Sequence, residues 1–242
     1  MSKNDLGREP FRTDGRLIVS YPKSGRTWID FALKAHGIDA TLTHAGCSTN
    51  WREIGRPFPG IKPDLASLPL VFLHRNPIDT AVSMFHQVTY RDMRGGSGRY
   101  FRLFLPLLLR GALPPRDIDA FVLHPTHGIQ KVCQYNRAWL NHLKGRGDCV
   151  VMTYEDMRAA PDAGFQRLLG FFEVAGVTGA DLAQASDFEK MKQAERGERK
   201  SKADSGAKVR KGKVRGYFDE LRPETIVACR SIMERFGFEP ED

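Results

Sequence analysis

Apolar positions along the chain repeat in one order: a short apolar run, a polar turn, then a segment with apolar residues at helical spacing. Leu17-Ile-Val reads as a buried strand, and Trp28-Ile-Asp-Phe-Ala-Leu-Lys-Ala35 places apolar side chains three and four apart, as a helix does. Ala40-Thr-Leu-Thr43 is a short second strand. Leu68-Pro-Leu-Val-Phe-Leu73 and Cys149-Val-Val-Met-Thr-Tyr154 are strand-like too, followed by helices expected over 78–86 and 161–172. Helical spacing also marks 128–143 and 220–236. Residues 51–69 are rich in Pro and Gly and read as a loop with one helical turn, and 88–128 reads as a glycine loop leading to a helix on the core. Repeated strand-turn-helix units predict an α/β fold, a single domain with a central, mainly parallel β-sheet flanked by helices. That domain is expected over residues 16–242, behind a polar lead-in over 1–15.

Charge narrows the partners. The chain of 242 residues has a net charge of +8 and a pI near 9.4, which calls for an acidic partner: a nucleotide, a nucleic acid, a sulfated or phosphorylated glycan, or a membrane surface. Residues 190–215 alone hold eleven Lys or Arg against three acidic residues, a surplus equal to that of the whole chain. Four scattered cysteines without a Cys-x-x-Cys pair predict free thiols, and no His, Cys and Asp cluster has metal-ligand spacing, so no metal is expected. The N-terminus lacks the apolar core of a signal peptide, and the longest apolar run, 101–110, is short and broken by Pro106. A cytoplasmic protein is expected.

The chemistry concentrates at the first turn, Tyr21-Pro-Lys-Ser-Gly-Arg-Thr-Trp28. A helix start offers unpaired N–H groups and a partial positive charge, Gly25 permits close backbone approach, and Lys23, Ser24 and Thr27 add donors. Such a turn suits an anion. It lacks the Gly-x-x-x-x-Gly-Lys order of the common nucleotide loop. The second turn, His74-Arg75-Asn76-Pro77, again sets a cation before a helix, with Arg75 able to fork onto a phosphate and Ser83 two turns along. Read blandly, these are helix caps, a surface ion pair and a helix-face hydroxyl.

The first turn resembles the 5′-phosphosulfate loop, Tyr-Pro-Lys-Ser-Gly-Thr-Thr-Trp, of sulfotransferases that use 3′-phosphoadenosine 5′-phosphosulfate (PAPS), with Arg26 in place of one threonine. Arg75-Asn-Pro-Ile-Asp-Thr-Ala-Val-Ser83 is similar to the same family's 3′-phosphate segment. Tyr154-Glu-Asp resembles a strand end that shapes the nucleotide site, and Ser186-Asp-Phe-Glu-Lys-Met-Lys192 resembles a segment whose aromatic ring packs near the adenine. Arg210-Lys-Gly-Lys-Val-Arg-Gly216 looks like the family's closing Arg-Lys-Gly segment, with one extra residue before the second glycine and Tyr217 where tryptophan is usual.

The resemblance implies a strand-loop-helix in which Lys23, Ser24, Gly25, Arg26 and Thr27 hold the 5′-phosphosulfate. It implies that Arg75, Ser83, Arg210, Lys211 and Gly212 grip the 3′-phosphate, that Trp28 and Phe188 flank the adenine, and that Tyr154 helps shape the nucleotide site. His44, in the Thr43-His44 pair, would be the general base, and Lys23 would offset negative charge on the bridging oxygen as it leaves. The product would be adenosine 3′,5′-bisphosphate (PAP), and the partner a hydroxyl-bearing acceptor. Arginines at 91, 94, 99 and 102, interleaved with apolar residues, admit an acceptor-side lid or contact with a lipid or glycolipid surface. Two rival readings stay open: a kinase-like phosphotransferase, which lacks the expected Gly-Lys-[Ser/Thr] sequence, and a nucleic-acid-binding module, which leaves the two anion turns unexplained.

Overall fold

The computed structural model describes residues 15–49, 53–92, 105, 107–187, 189–193 and 213–239. The expected lead-in, most of the arginine-glycine stretch, most of the basic segment, and the candidate residues Phe188, Arg210, Lys211 and Gly212 lie outside the described residues.

Among the described residues four parallel strands form the sheet: β1 (Leu17–Ser20), β2 (Thr41–Thr43), β3 (Leu70–His74) and β4 (Cys149–Thr153), in the order β2-β1-β3-β4. The strands run apolar because both faces of the sheet are covered. Leu17, Val19, Leu70 and Phe72 point into one core with Tyr135 and Trp139. Their neighbours Ile18, Val71 and Leu73 point into the other, with Trp28, Ile29, Leu33 and Phe165. Every one of these strand residues is at most 1% exposed, and each is worth roughly 1.5–3 kcal/mol as buried apolar surface.

Helix α1 (Arg26–Ala35) packs on the second core, followed by the single turn α2 (Pro63–Ala66) that the sequence led one to expect. Helix α3 (Pro77–His86) starts as the sequence predicts, with Asn76 Oδ1 accepting the N–H groups of Ile78 (2.9 Å) and Asp79 (3.3 Å) and Pro77 at the first position. It runs on into a π-helical segment, Gln87–Asp92. Helix α4 (Ile118–Leu123), capped by Asp117, sits where the sequence pattern is least regular, and α5 (Ile129–Leu143) lays Val132, Tyr135 and Trp139 on the first core.

Beyond β4 the structure differs from expectation. Tyr154 begins a helix, α6 (Tyr154–Ala159), because Thr153 Oγ1 caps it by accepting the Asp156 N–H at 3.0 Å. Pro161 disfavours helical geometry at Ala160, so α7 (Pro161–Phe171) starts afresh. Helix α8 (Gly179–Ala185) follows, then the 3-10 turn Gly216–Asp219 and α9 (Pro223–Arg235). Helix α9 packs Cys229, Ile232 and Met233 on Ile78, Ala81 and Val82 of α3. Among the described residues no helix is long and apolar enough to cross a membrane.

Candidate active site

All strands are parallel, so their C-terminal ends share one edge of the sheet and the segments leaving them converge. The chain moves from β1 outward to β2, then back across β1 to β3. The crevice where an open α/β sheet takes a ligand therefore lies between the ends of β1 and β3.

The segment leaving β1 closes with the Ser24 N–H on the Tyr21 carbonyl at 3.4 Å. Lys23 (φ 72°) and Gly25 (φ 99°) both adopt the left-handed region, which for a lysine costs about 1–2 kcal/mol and must be held by its surroundings. A Cβ on Gly25 would stand 2.5 Å from Tyr154 Cδ2, so only glycine fits. Gly25 caps α1, and no side chain caps that helix N-terminus. Ser24 is fully buried and its Oγ has no partner among the described residues. Backbone N–H groups, a buried hydroxyl and Lys23 thus share one turn. That set can hold an oxyanion.

Arg75, leaving β3, crosses the crevice: its Nη1 donates to the Lys23 carbonyl at 3.4 Å. Its Nη2 donates to the Lys213 carbonyl at 3.0 Å and pairs with Asp79 Oδ2 at 3.3 Å. The guanidinium also lies 4.5 Å over the Tyr154 ring, while its buried Nε has no acceptor among the described residues. Asp79, 3% exposed, accepts the N–H groups of Arg215 at 2.8 Å and Tyr217 at 3.2 Å. Glu155 Oε1 accepts the Asn76 N–H at 2.9 Å; burial raises this carboxyl above the ordinary range, against the pull of that N–H. Ser83 stands half-buried two turns into α3.

His44, leaving β2, reaches back to β1 with Nδ1 at 2.9 Å from the Ser20 carbonyl. Burial and the charge of Arg26 lower its pKa to about 3, against the Ser20 bond and with a further push from Lys23. The ring is therefore neutral at pH 7. Because a carbonyl only accepts, Nδ1 carries the proton and Nε2 keeps its lone pair. Burial lowers Arg26 too, with Asp30 and Tyr135 opposing.

A family model, the sulfotransferase domain, matches residues 65–236. The chain belongs to the sulfotransferase domain family. The match starts downstream of the 21–28 loop and of His44, so those residues stand on their own geometry. Among solved structures, a mouse sulfotransferase, SULT7A1, complexed with PAP is similar at 18% identity with a TM-score of 0.58, over 91% of this chain and 82% of that one. A retinol dehydratase in complex with androsterone and inactive cofactor PAP is similar at 15% identity and the same TM-score, over 93% and 82%. These likenesses show the sulfotransferase fold. No curated protein matches the sequence.

In this sulfotransferase-family chain Lys23, Ser24, Gly25, Arg26, His44, Arg75 and Tyr154 gather at the strand ends, with Thr27 exposed on the first turn of α1. Trp28 lies deeper, 8% exposed, packed edge-on against Tyr154 and Phe165, with its Nε1–H on Ser186 Oγ at 2.9 Å. The sequence reading kept Glu155 as a structural carboxylate, which its bond to the Asn76 N–H makes it, and gave Asp79 and Ser186 no role of their own. An acid in the first turn of α3, four residues after Arg75, was the available signal for Asp79.

Proposed function

We propose that this chain transfers a sulfuryl group from PAPS to a hydroxyl acceptor. The contact of Arg75 with the Lys23 carbonyl across the β1–β3 crevice carries the reading, because it sets two cation-bearing turns side by side, as a nucleotide with two separate anionic groups requires. Ser24 Oγ and Arg75 Nε supply the test of fit: both are buried donors with no acceptor among the described residues, and an anion at each turn supplies one.

In this reading Lys23 and the N–H groups from Ser24 to Thr27 hold the 5′-phosphosulfate. Arg75, Ser83, Arg210, Lys211 and Gly212 hold the 3′-phosphate, and Trp28, Tyr154 and Phe188 border the adenine. The acceptor oxygen bonds to sulfur as the sulfur–oxygen bond to the 5′-phosphate breaks. His44 Nε2 takes the acceptor's proton, and Lys23 offsets the charge left on the departing phosphate oxygen. By analogy with phosphoryl transfer, positioning and charge do most of the work.

Calorimetric titration of PAP, with AMP and ATP as controls, tests the donor. Binding that needs the 3′-phosphate and weakens in Arg75→Ala supports the reading. PAP binding no tighter than AMP sinks it.

A further inference from the structure

Buried groups hem in Trp28 on most sides. Its Nε1–H is on Ser186 Oγ at 2.9 Å, and its ring packs edge-on against Tyr154 (6.0 Å between centroids) and Phe165 (5.3 Å). Those three neighbours are buried. Arg158 is not: it is exposed, and its guanidinium carbon lies 5.5 Å over the Trp28 ring. The part of Trp28 that a solute can reach is therefore the part beside Arg158.

Helix α6 produces this arrangement. Thr153 caps it, and Tyr154 and Arg158, four residues apart, fall on one side of it. Tyr154 lies under the Arg75 guanidinium at 4.5 Å, with its edge against Gly25. One face of Tyr154 is thus taken by a cation already paired with Asp79. Arg158 differs from Arg75 in this respect. Among the described residues it has no carboxylate partner, and its guanidinium is engaged by an aromatic face alone. A guanidinium plane stacks on a nucleobase as readily as on an indole.

We propose that Arg158 is a base-binding residue: its guanidinium stacks on the nucleotide base that enters beside Trp28, so that the chain holds a nucleotide more tightly than the same sugar phosphate without a base. The inference rests on the nucleotide reading of the neighbouring turns, which leaves Arg158 without a role. It makes Arg158 a specificity determinant with no part in holding either phosphate.

Calorimetric titration of PAP and of 1-deoxyribose 3,5-bisphosphate, which carries the same two phosphates and no base, tests it in wild type, Arg158→Ala and Arg158→Lys. The wild type should favour PAP. In Arg158→Ala, PAP affinity should fall about fivefold or more, as removing a cation from an aromatic face implies, while the baseless bisphosphate stays within about twofold of wild type. Arg158→Lys keeps the charge without the plane and should recover little of the loss. Melting temperatures should match, since the side chain is exposed. Equal weakening of both ligands would overturn the proposal, because Arg158 would then act on the phosphates through its charge. So would unchanged PAP affinity in Arg158→Ala, full recovery in Arg158→Lys, or a wild type that takes the baseless ligand as tightly as PAP. If PAP binds no tighter than AMP, the PAPS reading falls alone, and AMP against ribose 5-phosphate in the same three proteins still decides this one.

Discussion

Asp79 Oδ2 accepts the backbone N–H of Arg215 at 2.8 Å, a contact that spans 136 residues. The same carboxylate takes the Tyr217 N–H and the Arg75 guanidinium, so one buried side chain orients the cation of the second turn and fastens the end of the basic segment beside it. Residues 213–217 sit beside the crevice with two of their backbone N–H groups bonded to Asp79.

Asp79→Ala should therefore destabilise the fold by roughly 3–5 kcal/mol, since it strands two backbone donors and an arginine. Asp79→Asn, which keeps an acceptor, should lose less. Urea unfolding measures both, and PAP affinity should fall in the same order. A near-wild-type Asp79→Ala would show that 213–217 docks without this carboxylate.

Gly25→Ala combines a φ of 99° with a Cβ 2.5 Å from the Tyr154 ring. We expect a loss of about 1–3 kcal/mol in thermal or urea unfolding, with a weaker hold on PAP, because the loop and Tyr154 must move apart. Tyr154→Ala in the same chain should relieve the clash but not the backbone strain, so recovery should be partial.

His44 should stay neutral well below pH 5 in the unliganded protein, consistent with a pKa of about 3. Nucleotide binding brings negative charge that offsets Arg26 and Lys23, so the value should rise, and with it the basicity of Nε2. NMR titration of the His44 ring with and without PAP reads this directly. His44→Ala should lower turnover by ~10²–10⁴ while leaving PAP affinity intact. Equal loss of both would make His44 a structural residue.

His127, 3% exposed, has its pKa lowered by burial to about 4. A folded value below the unfolded value of about 6.5 means that the unfolded chain binds the extra proton first, so stability present above about pH 6.5 is lost as the pH falls toward 4, at up to ~1.4 kcal/mol per pH unit. His44 and the half-buried His74, whose pKa burial lowers to about 4, add slopes of the same sign. Unfolding measured from pH 7 to 4 should be shallower in His127→Asn. An identical slope would remove His127 from the account.

Much of the scaffold was legible because it depends on neighbours in the chain. The Asn76-Pro77 helix start and the glycine turn before α1 use contacts within about four residues, so the sequence displays both partners, and strands covered on both faces show themselves as unbroken apolar runs. The capping box of α8, Thr178 with Asp181, was legible in the same way and was passed over because seven residues carry a weak periodicity. The helix start at Tyr154 was hidden by an apolar run that continues into it.

What the chain order cannot show is which distant groups share a space. The strand order β2-β1-β3-β4 decides that Lys23 and Arg75 face one crevice, and only the packed fold brings Asp79 to Arg215 or closes Glu53 over Lys131. A lysine on a helix reads as a solvated charge until the surrounding walls are known. By itself the sequence determined the local elements and the anion-binding turns, since these need only short-range bonds. The tertiary structure decided the pairing of those turns, the tautomer of His44 and the burial of Lys131, because each depends on surfaces that meet only when the whole chain has folded.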